Sequence, residues 1–412
     1  MHTYYDHLII GGGIAGVTAA ETIRAEDADA HIAIIGQEPH VLYSRVLLPN
    51  YLKRHIARPK LFLRTAEDFT NRKIDIHQEE MLKAIDPKHK DVTLENGKTF
   101  GYGKLLLATG GRVKEWGRLE DRHIIYRLQT LDDADRLFAA IPSIRNPLVV
   151  GSSFISLEFL EIFLAHQVKP TLLVRDKHFF GSLLEEQGGE LMDENFMRLG
   201  IQVDYGDTVA RIDAMPAGTE VTTKNLKKIP VDAIAVGIGM DRNLEYARVA
   251  GIILGEQGIK TNEFLETSEA DIFAAGDVAE YYDSMSKSHR SVGNWTNAVL
   301  QGKRAGLNMT GNRRAFTSIP SYSITNLGFQ ITALGDTRNQ EGAVVRMDKP
   351  HKQYERFFFK GDALAGAVLI NRFRDKTHIS RLIEHAVNIE QWRDRLADNS
   401  FDIHSIPVVG YT

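Results

Sequence analysis

The stretch that decides the fold is His7-Leu8-Ile9-Ile10-Gly11-Gly12-Gly13-Ile14-Ala15-Gly16-Val17-Thr18-Ala19-Ala20. A short apolar run reaches a cluster of glycines, and an alanine-rich helical pattern then continues to Ala25. Gly11, Gly13 and Gly16 complete a G-x-G-x-x-G. Gly11 serves the tight turn, Gly13 lets the backbone approach a pyrophosphate, and Gly16 allows close helix–strand packing. The anion then rests on the helix N-terminus, where free N–H groups and the dipole favour negative charge. A second apolar run, His31-Ile32-Ala33-Ile34-Ile35, closes on Gly36, and Glu38 follows where a ribose hydroxyl would be bonded. Strand, turn, helix, strand and acid in register argue for a dinucleotide-binding unit over an ordinary glycine turn.

The chain then repeats itself. Leu8-Ile9-Ile10-Gly11 returns as Leu148-Val149-Val150-Gly151, an offset of 140 residues, and Glu21 falls on Glu161 at the same offset. Thr171-Leu172-Leu173-Val174 replays the second strand. Both units end on an apolar strand and glycine, at Lys104–Gly110 and Ala233–Gly237. Apolar strands alternating with helices imply parallel sheets covered on both faces. The class is therefore α/β, with two Rossmann-like three-layer nucleotide-binding folds in series. After about residue 315 the texture changes. Tyr354–Gly361 and Leu364–Ile370 read as a hairpin turning at Gly361-Asp362, with a helix from about Thr377 to Val387, forming a small C-terminal α+β domain. His378 and His385 share a helical face, but two histidines are too few for a metal site, so no metal is expected.

A formal charge of −4 lacks the concentrated basic surface that nucleic-acid binding needs. No apolar run approaches the ~18 residues of a membrane span. The opening residues carry no basic signal-type region, so the expectation is a soluble, cytoplasmic protein. There is no cysteine in the chain, which removes thiolate metal sites and any relay of electrons through a cysteine pair.

On these motifs the chain resembles the FAD-dependent pyridine-nucleotide oxidoreductases, within them the ferredoxin and rubredoxin reductases and the flavin module of NADH-dependent nitrite reductase. The resemblance spans roughly residues 5 to 370. Glu38-Pro39 and Tyr43-Ser44-Arg45 look like the family's ribose acid and flavin-side segment; Ala108-Thr109-Gly110 looks like its ATG strand end. Thr267 to Asp277 looks like its second FAD motif, and Asn294 to Gly302 like the segment after it. Read bottom-up, Asp277 stands at the carboxyl end of a short buried strand, the edge where ligands of such sheets gather. The resemblance implies a glutathione-reductase-like arrangement, with an FAD domain of residues 1–115 and 241–314, an NAD(P)-binding-like domain of 116–240, and an interface domain of 315–412. It implies FAD held by Gly11, Gly13, Ile14, Ala15, Gly16, Glu38, Pro39, Arg45, Leu82, Ala108, Thr109, Gly110, Gly276, Asp277 and Trp295. Asn50 stands where relatives often carry a lysine near the flavin.

The second unit, Gly151-Ser152-Ser153-Phe154-Ile155-Ser156, departs from the glycine pattern. Gly151 keeps the tight turn, and Ser156 is a mild change because alanine is tolerated there. Ser153 places a Cβ and a hydroxyl where the backbone must touch phosphate, although the hydroxyl could itself donate. Arg175 stands 19 residues after Ser156, where NAD-specific units carry an acid, and an arginine suits a 2′-phosphate. Gly237 closes the unit, and Glu158 matches a family glutamate close to flavin and nicotinamide. Two readings stay open: a site tuned towards NADPH, or a scaffold that has lost the nucleotide. The function implied is electron transfer between NAD(P)H and a ferredoxin- or rubredoxin-type iron–sulfur carrier through the flavin. The alternative is an FAD-containing partner subunit without NAD(P)H binding. A homodimer or partner contact would use the C-terminal domain.

Overall fold

The structure is a computed structural model that describes residues 3–116, 123–216 and 218–408. The chain forms two compact units, one of residues 1–47, 56–112 and 240–318, the other of 48–55, 113–239 and 319–412.

The first unit is built on strand β1 (Thr3–Ile10), helix α1 (Ile14–Glu26), and strands β2 (Ile32–Ile35), β3 (Ile74–His77), β4 (Leu82–Asp86), β5 (Asp91–Leu94) and β6 (Thr99–Leu107). Their order across the sheet is β3-β2-β1-β6-β5-β4, and strand Ile272–Ala274 also pairs with β6. β1, β2, β3, β6 and Ile272–Ala274 run parallel, with Leu8 opposite both Ala33 and Leu105. Leu8, Ile9, Ile34 and Leu105 to Leu107 are fully buried, as strands covered on both faces require. One covering layer is α1 together with helix Trp295–Met309. Those two helices meet at backbone distance because two glycines face the seam. A Cβ on Gly302 would lie 2.3 Å from the Ala15 carbonyl oxygen, and one on Gly306 would lie 2.8 Å from that of Ala19.

The second unit carries a parallel sheet in the order Gln202–Tyr205, Thr171–Val174, Pro147–Val150, Ala233–Val236, Ile125–Tyr126. Helix Phe154–Ala165 follows its central strand as α1 follows β1. The internal repeat holds down to single hydrogen bonds. Gly11 N–H donates to Ile35 O at 2.7 Å and Gly151 N–H to Leu173 O at 3.0 Å; Ala108 and Gly237 donate to Ile10 O and Val150 O, both at 2.8 Å. Glu21 and Glu161 each accept from a cation, Arg64 Nε at 2.6 Å and Lys53 Nζ at 2.5 Å.

The same unit holds a five-stranded antiparallel sheet, Ser321–Asn326, Phe329–Gly335, Ala363–Ile370, Gln353–Lys360, Val344–Asp348. The expected hairpin turns at Gly361, whose φ is +59°. Helix Lys376–Glu384 packs Ile379 and Leu382 on this sheet; it ends three residues before the expected Val387 because His385 already takes a non-helical cap conformation. Beneath it lies a buried charge cluster. Arg346 Nε donates to Glu355 Oε2, and Arg372 Nε lies 3.3 Å from the same oxygen and 2.8 Å from Asp375 Oδ2. The rings of His378 and His404 lie with centroids 4.7 Å apart, tilted by 37°. Among the described residues no group of His, Cys, Asp and Glu could hold a metal, and no helix is long and apolar enough to cross a membrane.

Candidate functional site

In the first unit the chain turns at Gly11 with φ +125°, and a Cβ there would lie 2.1 Å from Ala108 O, so only glycine fits. Gly16 is closed in the same way, 2.0 Å from Gly11 O. Gly13 differs: nothing lies within 4 Å of its Cβ position, and it caps α1 with no side-chain hydrogen bond. The first N–H groups of α1 thus meet an open cradle, the arrangement an anion requires. Ile14 and Ala15 form the first helical residues, and Gly16 is already buried.

Expected residues follow three parallel strands, β2, β6 and Ile272–Ala274, at the sheet's carboxyl edge, and one more, Leu82, opens β4. Glu38 follows β2; its Oε2 accepts from Tyr43 OH and its Oε1 from Arg45 Nη2, each at 2.5 Å. Pro39 is tied by its carbonyl to Gln78 Nε2 at 2.8 Å. The segment entering Leu82 runs beside Gly36, with Glu80 N–H donating to Gly36 O at 3.0 Å, so Leu82 opens β4 next to the second turn. Ala108, Thr109 and Gly110 follow β6, and Thr109 Oγ1 shares a 2.8 Å hydrogen bond with Tyr246 OH.

Gly276 and Asp277 follow strand Ile272–Ala274. Gly276 has φ +80° and gives its N–H to Gln301 Oε1 at 2.7 Å. Arg242 reaches Asp277 O through Nε at 2.5 Å and Ser291 Oγ through Nη2 at 2.8 Å. Burial pushes the Asp277 carboxyl above its ordinary range, and the charges of Arg242 and Arg45 oppose that shift. Trp295 begins its helix two residues after Gly293, whose Cβ position lies 3.6 Å from the Asp277 carboxyl. An open helix end, an acid after β2 and a desolvated acid beyond a neighbouring strand fit a dinucleotide whose pyrophosphate, ribose and second half span that edge. Arg242 and Tyr246 carry no signal in the sequence, whereas Tyr43 lies in the Tyr43-Ser44-Arg45 segment and Gln301 in the Asn294–Gly302 segment.

The second unit repeats the turn but not the open end. Gly151 has φ +117°, and its Cβ would lie 2.4 Å from Gly237 O. Ser153 caps the helix, accepting from Ser156 N–H at 3.2 Å, while Ser156 Oγ accepts from Ser153 N–H at 3.3 Å. Ser152 Oγ accepts from Phe180 N–H at 2.5 Å. Arg175 extends into solvent, 81% exposed, with Asp176 its 3.5 Å neighbour.

Glu158 lies one turn beyond Ser153. Asn326 Nδ2 donates to Glu158 Oε2 and to Glu161 Oε2, both at 2.9 Å, and Leu327 N–H donates to Glu161 Oε1 at 2.9 Å. Burial pushes the Glu158 carboxyl up, and the Asn326 hydrogen bond and the Lys53 charge oppose it. Lys53 itself is 9% exposed and bonds Glu161. Lys53 follows Asn50 by three residues.

Two dinucleotide folds in one chain, the first with an open cradle and acids at its rim, define a two-nucleotide oxidoreductase. Residues 5–302 match the pyridine nucleotide-disulphide oxidoreductase family, and residues 320–387 match the rubredoxin NAD+ reductase C-terminal domain. The chain belongs to the pyridine nucleotide-disulphide oxidoreductase family, whose cofactors are FAD and a pyridine nucleotide. It is 28% identical over 386 residues to the ferredoxin–NAD(+) reductase component of 3-phenylpropionate/cinnamic acid dioxygenase of Photorhabdus laumondii, covering 93% of this chain and 97% of that one. It is 25% identical over 406 residues to subunit epsilon of NADH-dependent phenylglyoxylate dehydrogenase of Aromatoleum evansii, covering 97% and 95%. Among solved structures, a ferredoxin reductase from Rhodopseudomonas palustris superposes with a TM-score of 0.88 at 25% identity, covering 97% and 99%.

Proposed function

We propose that this chain moves electrons between NAD(P)H and a one-electron carrier of ferredoxin or rubredoxin type through bound FAD. The observation that carries the reading is the uncapped start of α1 between Gly11 and Gly16, with Glu38 and Asp277 at its flanks. The α1 N–H groups would hold the pyrophosphate, Glu38 would take the ribose hydroxyls under the hold of Tyr43 and Arg45, and Asp277 would take the ribityl side. Ala108–Gly110, Leu82, Pro39 and Trp295 line the remaining length. Bound FAD would supply hydride and single-electron chemistry, and the protein supplies position and electrostatics. The chain holds no cysteine pair to relay electrons, so the carrier would need direct access to the flavin.

In this reading residues 1–115 with 241–314 hold FAD, 116–240 hold the pyridine nucleotide, and 315–412 make the partner or homodimer contact. Gly151, Ser153, Ser156, Glu158, Arg175 and Gly237 belong to the nucleotide side. The setting is the cytoplasm, and the carrier is an iron–sulfur protein, as the named relatives' ferredoxin partner suggests.

A second reading is favoured by one observation, the helix end in the second unit closed by Ser153 and Ser156. There the chain is an FAD subunit blind to NAD(P)H that trades electrons with an iron–sulfur protein. Anaerobic titration of the yellow protein decides. Bleaching by NADH or NADPH is expected; bleaching by dithionite alone would leave only the second reading.

A further inference from the structure

The two βα turns of this chain are matched in strand hydrogen bonds and in glycine conformation, and they differ in the serines of the second, where Ser152 bonds Phe180 N–H and Ser153 and Ser156 bond each other. Gly13 leaves the first helix end open, with no side-chain partner on its N–H groups. Ser153 and Ser156 close the second through a reciprocal capping box, and their hydroxyls lie 3.1 Å apart. Ser156 is fully buried. Both hydroxyls fill the space over Gly237: a Cβ there would lie 2.5 Å from Ser156 Oγ and 2.8 Å from Ser153 Oγ. The N–H of residue 156, one of the free donors of this helix end, and that of the capping residue 153 are already bonded to serine oxygen.

We propose that the Ser153–Ser156 box is an internal competitor for the nucleotide's pyrophosphate and sets the affinity of the second fold for NAD(P)H. This rests on the pyridine-nucleotide reading above and deepens it. The competitor is the Ser153 hydroxyl, not its Cβ. A nucleotide settles on the helix end only as Ser153 Oγ gives up the Ser156 N–H, so the capping interaction is subtracted from binding. Such a cap corresponds to roughly five-fold in an equilibrium constant. Glycine is itself a fair N-cap, so Ser153→Gly costs the helix little.

The test measures flavin reduction by NADH and by NADPH in anaerobic stopped flow, on the FAD-loaded wild type, Ser153→Gly, Ser153→Ala and Ser153→Thr. The half-saturating concentration of the preferred nucleotide should fall about five-fold in Ser153→Gly and Ser153→Ala. Ser153→Thr keeps the cap and should stay with the wild type. Far-UV circular dichroism and flavin content show that each variant is folded. Tightening in Ser153→Gly alone would make the Cβ the obstacle and overturn the proposal, as would no tightening in either. Reduction of a variant by a nucleotide to which the wild type is inert would support it in its strongest form. If all four proteins bleach with dithionite and none with either nucleotide, the proposed NAD(P)H function fails and this inference with it. A nucleotide-reduced wild type with unchanged variants removes the inference alone.

Discussion

At the scale of single residues, the positions that sequence exposes are those where the backbone leaves no choice. Gly11 and Gly151 could be recognised because only glycine takes φ near +120° against a carbonyl oxygen two ångströms away. Arg242 and Gln301 could not be assigned a role, because theirs is set by partners that only the folded chain supplies. Gln301 meets Gly276 across 25 residues and Arg242 meets Asp277 across 35. Tyr43→Phe removes one of two donors holding Glu38, so the FAD dissociation constant should rise at least about ten-fold, the low end for one hydrogen bond to a carboxylate. Titrating apoprotein with FAD by flavin fluorescence checks this, and unchanged affinity would detach Glu38 from the cofactor.

Glu158 supplies a prediction in pH. Burial raises its folded pKa above the ordinary 4.5, so the folded state binds the proton more tightly than the unfolded state. Its contribution is therefore most favourable below about pH 4.5 and is lost as pH rises through the folded value. Glu158→Gln escapes that loss while keeping an acceptor for Asn326. It should be more stable than wild type at pH 7 to 8, with the gap closing as pH falls towards 5, in urea unfolding at each pH.

At the scale of elements, hydrophobic periodicity carried the strands and the repeat, and charge was silent about the C-terminal sheet. The spacing of Arg346, Glu355, Arg372 and Asp375 gives no hint that one buried cluster gathers them. Glu355→Ala leaves Arg346 and Arg372 in the interior without their shared anion, a loss of about 3–5 kcal/mol. The urea midpoint of this variant should drop accordingly; a shift within error would mean that Asp375 alone neutralises both. The seam between α1 and helix Trp295–Met309 is equally exacting. Gly302→Ala drives a methyl against Ala15 O and should destabilise by about 1–3 kcal/mol. Because Gln301 is the next residue and fixes Gly276, flavin content should fall along with thermal stability.

At the scale of the whole molecule, the two nucleotide folds were legible because a repeat at constant offset needs no knowledge of contacts. What was not legible is whether the second copy still does the first one's work. That depends on where two hydroxyls point, and a serine in a sequence does not say which N–H it has taken. The division of the chain between units has a further outcome in time. The first unit draws on residues 1–47, 56–112 and 240–318, so Gly13, Asp277 and Trp295 belong to one compact body assembled from three stretches of chain. A growing polypeptide therefore cannot complete this unit until its 318th residue has left the ribosome. At 5–20 residues per second that is a wait of roughly 15–60 s. During that interval β1, β2 and β6 lack the strand Ile272–Ala274 and the helix that covers them. Chains arrested before residue 276 should retain no flavin on affinity capture, whereas those released after residue 318 should emerge yellow. Flavin capture is thus expected late in the protein's synthesis, after the first unit's parallel strands have stood without their last partner.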